Sequence, residues 1–167
     1  LDRARKMKDA QVLAPALAFR GLVLLEEGRR EEASKLASEL LGRGSVLVPA
    51  LTTVHPAVTL IEFAWLIREL GREAELLTAL ASAPSTPWCH GARAIAKGDL
   101  AGGVELSARI GAPSVEAYTR LRAAQELARA GQRAEARDCL APALAFFRKV
   151  GATRYLAQAE RVRAQSP

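Results

Sequence analysis

Aromatic side chains are scarce in this 167-residue chain: two Trp, two Tyr and four Phe, or 5%. Half of the residues are nonetheless hydrophobic, enough for one domain with a sizeable core. That apolar half is largely Ala and Leu, the best helix formers, so the composition predicts helices. Cysteine is limited to Cys89 and Cys139, too few for a disulfide framework. They read as small buried thiols of a reducing compartment, and the expected location is the cytoplasm. No apolar run reaches the 18 residues that a membrane-spanning helix needs. Twelve Gly and eight Pro are ordinary numbers and argue against wholesale disorder. The chain opens on Leu1 with no basic-then-apolar leader and reads as a fragment of a larger protein.

Chemistry-bearing groups are equally sparse. The phosphate-binding pattern Gly-x-x-x-x-Gly-Lys-Ser/Thr does not occur. His55 and His90 are the only histidines, and no Cys-x-x-Cys or His-x-x-x-His spacing joins them to the cysteines, so no metal site is expected. Cys89 and His90 are adjacent, and neighbours on a helix point about 100° apart, which excludes a nucleophile–base pair. Glu26-Glu27 and Glu31-Glu32 flank a turn and read as solvated surface. The reading is a non-catalytic protein without a cofactor.

The formal charge is +6. Such an excess suits nucleic acid or an acidic surface. Here Lys and Arg are spread at helical spacing among Glu residues, which reads as solvated helix faces. The densest basic stretch, Arg3-Ala4-Arg5-Lys6-Met7-Lys8, lies at one end.

Four glycines carry the organisation. Gly28, Gly71, Gly98 and Gly131 each end an apolar helical stretch and precede a polar start to another. Around them the pattern predicts helices over 10–27, 30–41, 56–70, 73–82, 87–97, 99–111, 113–130, 133–150 and 152–164. Gly42 and Gly44 end the second helix, and Ser45 to His55 reads as an irregular connection. Pro56 and Pro87 suit first turns, with Thr86 as a cap before Pro87. The helix to Leu70 is apolar all round and is expected at the centre of the core. Gly102-Gly103 reads as a soft spot, and Pro142 predicts a kink. Leu-Ala-Pro-Ala-Leu-Ala-Phe occurs at 13–19 and 140–146, but on opposite sides of a hinge glycine, so it is not taken as a repeat.

Seven residues before each hinge stand Gly21, Ala64, Gly91 and Ala124; five after stand Ala33, Leu76, Gly103 and Ala136. Helices approach closely where side chains are small. These positions resemble the Gly/Ala sites of tetratricopeptide repeats, and the resemblance implies an all-α, irregular α-solenoid of about four helix pairs plus a C-terminal capping helix. The hinge spacings of 43, 27 and 33 bracket the family's period of about 34. The usual early aromatic is replaced by Leu17, Leu60, Pro87 and Arg120.

Residues 117–124, 130–136 and 145–155, with Thr86-Pro87-Trp88 and Gly98-Asp99, resemble the C-terminal repeat region of large bacterial regulators. Those multidomain proteins carry a signalling ATPase, often beside an adenylate-cyclase domain or a LuxR-type DNA-binding domain. The resemblance implies a protein-interaction or effector-sensing arm in signalling or transcription regulation. Its partner would be another protein, neighbouring domains of the same polypeptide, or a small effector. Nucleic acid is the alternative partner, and a membrane is not expected. In tetratricopeptide solenoids the first helix of each unit lines the concave face, which here would present Leu22, Trp65, Arg68, Trp88, Tyr118, Arg122, Gln125 and Arg129. Trp and Arg are frequent recognition residues, although Trp65 and Trp88 can equally fill the core. The family's clamp for a terminal carboxylate uses Lys and Asn, and only Arg122 partly matches it.

Overall fold

The computed structural model describes residues 1–7, 9–42 and 57–164, with side chains from 59 onward in the last segment. Among these residues there are ten helices and no strands. They are α1 (Asp2–Met7), α2 (Ala10–Glu26), α3 (Arg30–Gly42), α4 (Ala57–Leu70) and α5 (Glu73–Ala79), then α6 (Pro87–Lys97), α7 (Leu100–Arg109), α8 (Pro113–Arg129), α9 (Arg133–Val150) and α10 (Thr153–Ala164). The expected irregular connection at 45–55, and Pro56 as a helix start, lie outside the described residues. The chain divides into two compact units, 1–99 and 100–167, where the sequence reading expects one domain over 1–167.

All four hinge glycines adopt the left-handed conformation, with φ between 72° and 79°. Only glycine does so without a steric cost from Cβ. At each, the amide of the residue after the glycine closes a wide turn: Arg29 to the Leu24 carbonyl, Arg72 to Ile67, Asp99 to Ala94 and Gln132 to Leu127, at 2.8–3.1 Å. Those bonds satisfy carbonyls that a helix end otherwise leaves open. Gly151 repeats the motif before α10, with φ 67° and Ala152 bonded to Phe147. All eight residues at the two small-residue offsets are buried. At Gly21 the reason is visible: a Cβ there would lie 2.6 Å from Leu66 Cδ2.

In the N-terminal unit, α4 packs against α2, α3, α5 and α6, and residues 59–67 are buried without a break. An apolar helix with no polar stripe can only sit inside, which is the position expected for it. Arginines close the gaps between elements. Arg72 Nη1 donates to the Ser34 carbonyl (3.0 Å) and to Ser38 Oγ (2.9 Å), joining the start of α5 to α3. Arg93 Nη2 donates to the carbonyls of Leu80 (2.6 Å) and Ala83 (3.3 Å). Arg93 therefore satisfies acceptors past α5, which ends at Ala79 rather than at the expected Ser82. Thr86 caps α6 as expected, its Oγ1 accepting from the Cys89 amide at 3.2 Å with Pro87 in the first turn. Residues 2–7, overlapping the basic stretch at the start of the chain, form an unexpected short helix, α1, which buries Ala4 and pairs Arg5 with Glu39 of α3 at 2.7 Å.

The C-terminal unit is built on the α8–α9 hairpin. Its core joins Leu121 and Ala124 of α8, Leu140, Ala143, Leu144 and Phe147 of α9, and Ala159 and Val162 of α10. Tyr155 stacks on Phe147 at 5.2 Å and meets Tyr118 edge-on at 5.9 Å, so α10 covers the open side of the hairpin. Gly102-Gly103 does not interrupt α7: Gly103 is buried and the helix runs through both. Helix α9 runs through Pro142, which faces solvent. Its missing amide would have bonded the carbonyl of Asp138, itself exposed and accessible to water. Pro15 lies inside α2 in the same way, so both copies of Leu-Ala-Pro-Ala-Leu-Ala-Phe are helical.

Candidate functional site

The eight candidates from the sequence have different fates. In the N-terminal unit, Leu22 of α2 and Trp88 at the start of α6 are half-buried. Trp65 is 1% exposed and belongs to the core, so it cannot serve as a groove residue. Arg68 has a fold role that its position does not reveal. Its Nη1 donates to the Ile95 carbonyl at 3.3 Å and lies 3.7 Å from Glu73 Oε1. The guanidinium also lies 3.4 Å from where a Cβ on Gly98 would stand. A cation at the carbonyl end of α6 complements the helix dipole, and it shares a carbonyl that also accepts from the Gly98 amide at 3.1 Å.

In the C-terminal unit the candidates converge. Tyr118, Arg122, Gln125 and Arg129 recur at helical spacing along one face of α8. Tyr118 is engaged with Tyr155. Arg122 Nη1 donates to Gln125 Oε1 at 3.2 Å. Gln125 and Arg129 then line a surface groove of about 240 Å³ together with Gln158, Arg161 and Val162 of α10. Gln158, Arg161 and Val162 are not among the candidates from the sequence. One signal is available: Gln158 stands between Tyr155 and Val162 on the inward stripe of α10, a polar residue where an apolar one is expected.

Charge follows the same division. Residues 1–99 hold thirteen Lys/Arg against twelve Asp/Glu, net +1; residues 100–167 hold eleven against six, net +5. Nearly all of the excess thus falls on the unit that carries the groove. Within it, Glu160 accepts from both Arg148 (2.7 Å) and Arg163 (2.6 Å), and Glu116 from Arg120 (2.8 Å).

Groups with catalytic or ligating potential are placed as follows. Cys89 is buried; Cys139 is half-buried, its Sγ donating to the Arg120 carbonyl at 3.5 Å. Burial pushes the Cys139 thiol up, with a smaller opposing effect from Arg120, which makes it a poor nucleophile. His90 Nε2 is hydrogen-bonded to Ser85 Oγ at 2.9 Å, and His55 lies outside the described residues. Among the described residues no three His, Cys, Asp or Glu side chains are grouped to hold a metal ion. No described helix is long and apolar enough to cross a membrane. Glu62 is a buried titratable group of α4: it is 9% exposed, its Oε2 has no hydrogen-bond partner among the described residues, and desolvation raises its pKa to about 7. Compared with protein-family models, curated proteins and solved structures, the chain matches none.

Proposed function

We propose that this chain is a non-catalytic interaction arm, an irregular tetratricopeptide-like solenoid that recognises a partner through the α8–α10 face of its C-terminal unit. The observation that carries the reading is the groove: Gln125 and Arg129 stand at the expected offsets from a hinge glycine, and both line it. The five glycine-closed turns and the buried small residues support a repeated hairpin design. Placement in a bacterial, cytoplasmic signalling or transcriptional regulator rests on the resemblance of the C-terminal half and belongs to the same proposal. The partner is a protein, a neighbouring domain of the same polypeptide or a small effector.

Affinity capture from cells that express the protein, followed by titration of each purified candidate against the chain, tests this. The expected result is direct binding that Arg129→Glu weakens by about tenfold or more, as loss of an interface charge contact does. Binding that is insensitive to the α8 and α10 variants would overturn the location. No direct binding by any candidate would overturn the function.

The charge of +5 on residues 100–167 favours one alternative, a nucleic-acid-binding solenoid. It requires affinity that falls steeply with salt. A gel-shift without a complex at about 50 mM salt, where screening is weak, removes it.

A further inference from the structure

We infer that the groove between α8 and α10 is an oxyanion site that takes the carboxylates of an acidic peptide segment. This rests on the interaction-arm reading and gives its ligand a chemical class.

Among the described residues five line the groove, and none of these is a carboxylate: Arg129 and Arg161, Gln125 and Gln158, and Val162. Guanidinium groups bind carboxylates through paired N–H donors, stronger than neutral hydrogen bonds. The bond from Arg122 occupies Oε1 of Gln125, so the group Gln125 has to offer a ligand is its amide NH₂. Arg161 is exposed and makes no ion pair among the described residues, whereas the nearby Arg148 and Arg163 are both held by Glu160. Arg161 therefore brings an exposed positive charge to a groove lined by a second guanidinium and two amides over a small apolar base from Val162, a setting that stabilises an anion.

Size and field narrow the ligand further. At about 240 Å³ the groove is smaller than the roughly 300–1,000 Å³ of a typical small-molecule site. It suits a side chain or two rather than a nucleotide. A net charge of +5 on the unit that carries it adds long-range attraction for a ligand carrying several negative charges, which a single free anion exploits poorly. Single-stranded nucleic acid is less well matched. Its binding combines a basic track with aromatic faces for stacking, and the two tyrosines of this unit are instead engaged with each other and, through Tyr155, with Phe147.

The test is fluorescence anisotropy of the whole chain with a labelled ten-residue Glu/Asp-rich peptide at about 50 mM salt. The expected result is saturable binding that Arg161→Glu and Arg129→Glu each weaken by about tenfold or more, while Arg133→Glu, of equal charge change at the start of α9, costs about threefold or less. Thermal melts establish that the variants fold, and Arg161→Gln, which removes the charge without reversing it, is expected to lose affinity in the same direction. Equal losses from Arg133→Glu and Arg161→Glu would mean diffuse attraction only and overturn the site. Absence of saturable binding overturns it too. Displacement of the peptide by inorganic phosphate at matching concentration would mark a free-anion site and overturn the peptide assignment. Tighter, Arg161-dependent binding of a single-stranded oligonucleotide would assign the groove to nucleic acid. A captured protein partner that binds the Arg161→Glu variant normally would leave the interaction-arm reading standing and remove this one.

Discussion

The hydroxyls of Ser107 of α7 and Thr119 of α8 are hydrogen-bonded at 3.1 Å, and both residues are fully buried. Ser107 gives its proton to the Gly103 carbonyl of its own helix at 2.8 Å, so the Thr119 hydroxyl donates to Ser107 Oγ and the pair joins the two helices. A buried polar pair is stable only while both members are present. Thr119→Val and Ser107→Ala should each lower stability by about 1 kcal/mol, and the double variant should lose less than the two together. Urea unfolding of the four proteins measures the coupling; strict additivity would contradict it.

Gly131 and Gly21 test two different uses of glycine. At Gly131 nothing stands within 4 Å of where a Cβ would lie, so Gly131→Ala is opposed by its φ of 79° alone and should cost about 1–2 kcal/mol. At Gly21 the backbone is helical and the obstacle is Leu66. Gly21→Leu should therefore cost about 3 kcal/mol or more through overpacking. A Leu66→Ala background should recover part of the Gly21→Leu loss and none of the Gly131→Ala loss, as read from melting temperatures.

Glu62 predicts a pH dependence of stability. Its ordinary pKa is 4.5 and burial raises it to about 7 in the folded chain. The folded state thus holds the proton more tightly than the unfolded state. Stability from this group is greatest below pH 4.5, falls as pH rises towards 7 and then levels off. Glu62→Gln should leave stability at pH 4.5 nearly unchanged and raise it by about 1–3 kcal/mol at pH 8, flattening the profile between. Equal effects at both pH values would show that Glu62 ionises normally.

Arg68 separates a fold residue from a recognition residue. Arg68→Met keeps most of the aliphatic stem but loses the bond to the Ile95 carbonyl, and should lower stability by about 1–2 kcal/mol. It should leave peptide affinity unchanged, because Arg68 belongs to the N-terminal unit and the groove does not. A loss of affinity comparable to that of Arg161→Glu would return Arg68 to the site.

Helices are legible in the sequence because their signals are local. Gly28 or Gly131 requires only its own φ, Thr86 only the amide three residues on, and α4 only its lack of a polar face. The candidate groove is half legible for the same reason. Gln125 and Arg129 follow from distance along α8, whereas Arg161 and Gln158 reach the groove only because α10 folds back onto the hairpin through Tyr155 and Val162. Arg68 misleads because a helix-face position looks the same in sequence whether its side chain meets solvent or a neighbouring helix end. The carbonyls just past the early end of α5 are met by Arg93, a residue on another helix that local sequence does not reveal.

The central claim is that recognition takes place on the α8–α10 face. Backbone amide shift mapping of the whole chain, titrated with the Glu/Asp-rich peptide, tests it most directly. Saturable shifts clustered on residues 122–129 and 158–162, absent in the Arg161→Glu variant, are expected. Shifts confined to residues 1–99, or none at saturating peptide, would contradict it.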